Sequence, residues 1–401
     1  MKFIYNYKNT NIFFDKLVDA FKLNKKLSLN KNYYNKLINA REVVYSINET
    51  ILNEVNRYNL NEYEIISNKI EKKEEKQFKI NYKSKEYFDI IDEWYFKWIK
   101  IIREINDDII LDLSGGIDTR ILLSMILNAN CNIPIRSKSF NKKIAGNESL
   151  EDYIISEKLI KKYNLSIAEI IKKPKTLIWN DSYCIGESNY SSSIRNKPVK
   201  KLYRLCGHGS SLYHKPETFN KLLQKRFYNV TEDLKDDFYN YKNNFIYPSY
   251  LQEDLKDLFF YKKTIVNLRD GIKVIDHKRN NEIMLCPMFD PLINSLNPFD
   301  ENGKSILPIL ILKRFLPELL NTEIEGIKDK NLNFNINIGQ IKIDNYSKKE
   351  YNKQILFSHF LKEEYEKELN FKHIEDNSHS TGSEIGQTIF FKKMLDEYDI
   401  H

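Results

Sequence analysis

The sequence predicts an α/β chain: a parallel sheet with flanking helices, a small N-terminal α+β segment and a helical C-terminal part. Three observations carry this. Short apolar runs alternate with amphipathic stretches between residues 108 and 207, a glycine pair sits where the first run meets the next stretch, and the last third has apolar residues at helical spacing.

Taken in order, NIFFDKLVDAF (11–21) has the spacing of a helix, and EVVYSINETILNEV (42–55) reads as short mixed segments. The most polar run, NKIEKKEEKQFKINYKSKE (68–86), is a solvated helix or a hairpin connection, and it divides residues 1–85 from 86–401. YFDIIDEWYFKWIKIIREI (87–105) repeats apolar and aromatic residues at three and four positions, so it predicts an amphipathic helix whose aromatic stripe packs in the core. DIILDL (108–113) has strand length and is followed at once by SGGIDTR and a helical stretch, ILLSMILNA. IPIRSKSF (133–140) reads as a strand, SLEDYIISEKLIKKYNL (149–165) as a helix, and SIAEIIKK (166–173) and KKLYRLCG (200–207) as strands. Such alternation implies right-handed βαβ units, and ligands of such sheets bind beyond the carboxyl ends of the strands. ILPILILKRFLPELL (306–320) and GSEIGQTIFFKKMLDEY (382–398) read as helices.

The composition bounds the function. Of 401 residues, 41% are hydrophobic and 30% charged, the formal net charge is +7, and the mean hydropathy is −0.55. No stretch approaches the ~20 apolar residues that cross a bilayer, and the start, MKFIYNYKNTNIFF, is unlike a signal peptide, so a cytoplasmic chain is expected. Cys131, Cys184, Cys206 and Cys286 are widely spaced, which predicts reduced thiols without a disulfide scaffold or structural zinc. The positive surplus is mild and dispersed and does not point to nucleic acid.

The segment with most chemical content is Ser114-Gly115-Gly116-Ile117-Asp118-Thr119-Arg120. Adjacent glycines let the backbone approach a phosphate closely, and a helix start presents N–H donors and positive dipole to it. Ser114 and Thr119 add hydroxyls. Asp118, in the first helical turn, can cap the helix or hold a magnesium ion that bridges phosphates. The alternative is a strand-to-helix turn with glycines for shape and Asp118 as a cap.

LSGGIDTR after an apolar strand resembles the SGGxD(S/T) pyrophosphate loop of the N-type ATP pyrophosphatases, and most of all the synthetase domain of the asparagine synthetase family. The resemblance runs over roughly residues 90–340, with motifs in the family's order. SLEDYIISEKLIKKYNL is similar to the family's helix that begins with Asp; RLCGHGSSLYHK (204–215) falls where the family has a second glycine loop, usually GEGxDE. EIMLCPMFDPLINSL (282–296) resembles the PFLD segment, where Asp290 follows the pattern or serves as a cap, and EGIKDKNLNF (325–334) resembles RKDKxGF.

What the resemblance implies is an adenine nucleotide alpha hydrolase-like (HUP-type) sheet that binds ATP and Mg²⁺, adenylates a carboxylate with release of pyrophosphate, and lets ammonia or an amine displace AMP. Carried over, Leu113, Ser114, Gly115, Gly116, Asp118 and Thr119 hold nucleotide and pyrophosphate, with Asp118 as the metal ligand. Cys206 and Gly207 border the base. Lys330, or its neighbour Lys328, neutralises developing phosphate charge, and His208 stands where the family has a candidate acid/base Glu. The family's metal-binding Asp and the Glu after it are Ser211 and Leu212 here.

Glutamine-dependent members use an N-terminal nucleophilic Cys, whereas this chain has Lys2 and its first cysteine at Cys131. Residues 1–85 then read as a remnant of a glutaminase domain or an unrelated cap. The expected reaction joins a small-molecule, sugar-acid or peptide carboxylate to ammonia or an amine, with ammonia supplied free or by a separate glutaminase, in polysaccharide or natural-product biosynthesis. Two alternatives stand beside it: a nucleotide-binding pseudoenzyme or partner subunit, suggested by Ser211 and Leu212, and a tRNA-modifying ATP pyrophosphatase.

Overall fold

The computed structural model describes residues 2–7, 10–15, 17–21, 23, 27–33, 48–58, 63–74, 76, 78–137, 147–168, 176–177, 194–195, 200–208, 232–266 and 281–324. Ser211, Leu212, Lys328, Lys330 and the helix expected at 382–398 lie outside these residues.

Three strands open the chain: β1 (Lys2–Tyr7), β2 (Thr10–Phe14) and β3 (Val55–Tyr58), an antiparallel sheet in the order β2-β1-β3. The helix expected over residues 11–21 is instead β2 followed by the short α1 (Val18–Phe21). Pairing wins over spacing here, because β2 sets Phe14 opposite Phe3 and Ile12 opposite Tyr5. The polar run begins in a hairpin of β4 (Tyr63–Ile66) and β5 (Lys69–Lys72). Ser67 and Asn68 turn it with φ of 49° and 64°, the twist that a two-residue hairpin loop needs.

Helix α2 (Lys85–Glu104) starts at Ser84, whose Oγ accepts the Tyr87 N–H at 3.2 Å. Its buried stripe is Tyr87, Ile91, Trp94, Tyr95, Ile99 and Ile102, so the aromatic positions are core, as their spacing predicts. The polar ends of these rings are satisfied: Tyr87 donates to the Asn297 carbonyl, Trp94 to that of Pro287, and Tyr95 to Ser124 Oγ.

The central sheet follows: β6 (Asp108–Leu113), α3 (Ile117–Ala129), β7 (Ile135–Ser137) and α4 (Asn147–Lys162). A two-residue antiparallel pair, β8 (Thr176–Leu177) with β9 (Ile194–Arg195), precedes β10 (Leu202–Leu205). Helix α5 (Glu232–Asn243) and helix α6 (Lys256–Tyr261), which runs into a π-turn at Lys262–Val266, lead to β11 (Glu282–Leu285). The described chain ends in α7 (Pro291–Asn294) and α8 (Leu307–Phe315), the helical later part that the sequence predicts.

The sheet order is β11-β10-β6-β7 and every pairing is parallel. Outside β7, Ile135 N–H donates to the Ser166 carbonyl at 2.7 Å and Ala168 N–H to the Ile135 carbonyl at 2.9 Å. Of the strand expected at 166–173, only residues 166–168 are described, and they form an isolated parallel bridge at Ile167; residues 169–173 lie outside the described residues. The chain builds outward from β6 through β7 to residue 167, then returns to the other side of β6 for β10 and β11. The reversal falls between β6 and β10.

The two faces of this sheet differ. Leu111, Leu113, Ile135 and Leu205 point into the main core with α2, α3 and α8. The opposite face carries charges, described below. Residues 78–80 hydrogen-bond along 294–297, through Phe78 N–H to the Asn294 carbonyl and Asn297 N–H to that of Ile80. Among the described residues no helix is long and apolar enough to cross a membrane.

Candidate nucleotide site

Sites in open parallel sheets form outside the carboxyl ends of the strands, where the strand order reverses, because the two loops there diverge and leave a crevice. In this chain the reversal falls between β6 and β10, and the two loops at that point are Ser114–Gly116 and Cys206–His208. These are the two glycine loops that the sequence singles out. They meet: a Cβ added to Gly207 would lie 2.9 Å from the Asp118 Cβ and 3.4 Å from Thr119 Cγ2. Gly207 is needed for this close approach.

The first loop is held by its own hydroxyls. Ser114 N–H donates to Thr119 Oγ1 at 3.1 Å, the two hydroxyls lie 3.0 Å apart, and Gly116 N–H donates to Ser114 Oγ at 3.2 Å. Thr119 Oγ1 also lies 2.9 Å from the Ser114 carbonyl. Ser114 and Thr119 thus act first as mutual braces. Gly116 is the N-cap of α3 and makes no side-chain capping bond. Asp118 lies in the first turn beyond the cap, which removes the reading of Asp118 as an N-cap, and the residue is half-buried beside Gly207. An uncapped helix start with a carboxylate in its first turn fits an anion bound through a cation.

Two residues outside the sequence-derived set complete the loop. Asp152, on α4, accepts the Gly115 N–H. It belongs to the helix that resembles the family's Asp-first helix, and that resemblance was the available signal. Arg120 is fully buried and donates from Nη1 to the carbonyls of Leu319 (2.9 Å) and Thr322 (2.7 Å), and from Nη2 to the Gly115 carbonyl (3.3 Å). Burial lowers its pKa to about 10, partly offset by Glu323 and Tyr163. Arg120 ties the loop to the turn after α8, and only its place in SGGIDTR hinted at a role.

Of the remaining sequence-derived residues, Leu113 ends β6 with its side chain in the core, so only its backbone faces the loop. Cys206 is buried, and Gly207 and His208 are half-buried at the end of β10. Lys330 lies outside the described residues. Asp290 is a cap: it accepts the Leu292 N–H at 3.0 Å, and Lys97 Nζ and Trp98 Nε1 at 2.7 and 2.9 Å tie it to α2. No group of three or more His, Cys, Asp or Glu arranged to hold a metal occurs among the described residues. A magnesium ion at this loop would rely on Asp118 and on the phosphates themselves.

Beneath the loop, the second sheet face carries an ion network. Asp112 Oδ1 meets Arg136 Nε at 2.7 Å, Asp112 Oδ2 meets Arg204 Nε at 3.0 Å, and Arg204 Nη1 meets Glu282 Oε2 at 2.7 Å. Burial pushes the Asp112 carboxyl upward, but the Arg204 and Arg136 charges outweigh it and hold its pKa below the ordinary carboxylate range. Burial likewise lowers Arg204, and Asp112 and Glu282 more than restore it. The network locks β7, β6, β10 and β11 in register directly below the two loops. No protein-family model matches the chain, and no curated protein matches it.

Proposed function

We propose that the chain is an ATP-dependent carbon-nitrogen ligase of asparagine-synthetase type, which adenylates a carboxylate and couples it to ammonia or an amine. The observation that carries the reading is the close approach of Gly207 to Asp118 at the strand reversal, which brings both glycine loops together at the carboxyl ends of β6 and β10. What supports it at the loop itself is the start of α3, where Gly116 makes no side-chain capping bond and Asp118 lies in the first turn. In this reading pyrophosphate takes the place of Asp152 at the Gly115 N–H and lies along the Gly115-Gly116 backbone at the start of α3, while Ser114 and Thr119 keep the loop in shape. Magnesium held at Asp118 would neutralise phosphate charge, which favours departure of pyrophosphate. Cys206 and Gly207 border the base through their backbone. The His208 imidazole, at the end of β10, would take the proton of the incoming amine. Lys330 would face the developing phosphate charge.

The acceptor class follows from the same chemistry: a small-molecule, sugar-acid or peptide carboxylate, with ammonia or an amine as the nucleophile. The test is pyrophosphate release from ATP and Mg²⁺ across a panel of such carboxylates with ammonium present. A carboxylate that stimulates release, with AMP formed in equal amount, supports the reading. ADP and phosphate in place of AMP and pyrophosphate would refute it.

A second reading has its own observation. Asp152 already sits on the Gly115 N–H, and Ser211 and Leu212 replace acidic positions of the family pattern, as suits a nucleotide-binding subunit without turnover. Nucleotide binding with no pyrophosphate release under any carboxylate would favour it.

A further inference from the structure

Cys206 and Cys286 follow the last paired residues of β10 and β11, Leu205 and Leu285, which are register partners. Cys206 N–H donates to the Leu285 carbonyl at 3.0 Å, so the parallel ladder continues to the two cysteines. Both side chains point to the same face, and their Sγ atoms lie 3.5 Å apart. They are buried, at 3% and 8% exposure, beside Met284 and the partly buried Phe289. Adjacent strands lie about 4.8 Å apart, within the ~4.4–6.8 Å between Cα atoms that a disulfide spans. Closing the bond shortens the Sγ separation by about 1.5 Å.

We propose that Cys206 and Cys286 are a reversible thiol pair that a small peroxide oxidises to a disulfide. The step balances with hydrogen peroxide as oxidant. The Cys286 thiolate, on the more exposed of the two residues, attacks one peroxide oxygen; the O–O bond breaks, and hydroxide leaves and takes up the thiol proton as water. The Cys206 sulfur then attacks the resulting sulfenic sulfur, its own proton passes to the departing hydroxide, and a second water leaves. Two S–H bonds are exchanged for one S–S bond, and peroxide is reduced to two waters. The inference stands on the sulfur geometry and is independent of the ligase reading. Because Cys206 precedes Gly207, the bond would form beside the second glycine loop.

The experiment uses the reduced full chain, freed of reductant and treated with a small excess of hydrogen peroxide. Thiols are counted after denaturation, and the chain is digested without reduction for mass spectrometry. The count should fall from the four cysteines of the sequence to two, with one Cys206–Cys286 cross-linked peptide that dithiothreitol releases. Cys206→Ser and Cys286→Ser, each with the circular dichroism of the parent, should lose the cross-link. No fall in thiols overturns the proposal, as does oxidation of either cysteine to sulfinic acid without the cross-link, or a link that joins Cys131 or Cys184 in its place.

Discussion

Gly207, at the end of β10, and Asp118, in the first turn of α3 after β6, lie so close that a Cβ at position 207 would stand 2.9 Å from the Asp118 Cβ. The contact leaves no room for a side chain. Gly207→Ala therefore forces the loops apart, and overpacking of this kind costs about 1–3 kcal/mol. The expected result is ATP affinity, measured by calorimetry with Mg²⁺, weakened roughly tenfold or more.

In the proposed reading, a phosphate at this loop has to compete with Asp152 for the Gly115 N–H. Asp152→Ala removes a charge-assisted hydrogen bond, so thermal or urea unfolding should show a loss of about 1.5 kcal/mol. The same variant should bind inorganic pyrophosphate without magnesium more tightly than the parent. Weaker binding would show that Asp152 organises the loop for the anion and does not compete with it.

Arg120 satisfies three carbonyls, those of Gly115, Leu319 and Thr322. Arg120→Leu fits the space less well and leaves those acceptors buried, at a cost of about 3 kcal/mol or more. Urea unfolding of the variant should show it, with the midpoint moved and the slope unchanged.

The ion network under the loops makes stability depend on acid. Asp112 has a lowered pKa in the folded chain, so the unfolded chain binds more protons between that value and the ordinary carboxylate range, and stability rises with pH there. The contribution is complete above the unfolded value, about 3.9, and is lost as pH falls through the folded one. Asp112→Asn should cost about 3 kcal/mol near neutrality, since it breaks a buried pair. In urea unfolding the gap between variant and parent should shrink as the solution is acidified.

The parallel sheet was legible because DIILDL, IPIRSKSF and KKLYRLCG are short apolar runs set between helical stretches, and the glycine pair marked the loop that the strand reversal exposes. The aromatic stripe of α2 was legible for the same reason, since its spacing matches one buried face. Residues 11–14 were not. Their apolar spacing suits a helix as well as a strand, and only the pairing with Phe3 and Tyr5 decides between them. The candidate site was legible in the glycine pair at the end of β6 and at Gly207, where the close approach to Asp118 leaves no room for a side chain. It was hidden where a side chain reaches across the fold: Asp152 lies 37 residues from Gly115, and Arg120 reaches Leu319 across 199. The charged sheet face was hidden too, because Asp112, Arg204 and Glu282 are ordinary surface residue types until the register aligns them.

The most direct test of the proposed nucleotide site is calorimetric titration of the full chain with ATP and Mg²⁺, repeated on Asp118→Asn with its fold checked by circular dichroism. Asp118 is not the helix cap, so the substitution leaves the start of α3 intact and removes the charge of the residue packed beside Gly207. The predicted result is saturable binding by the parent and affinity at least tenfold lower in Asp118→Asn, about 1.4 kcal/mol. No binding by the folded parent, or equal affinity in the two proteins, would contradict a nucleotide site at this loop.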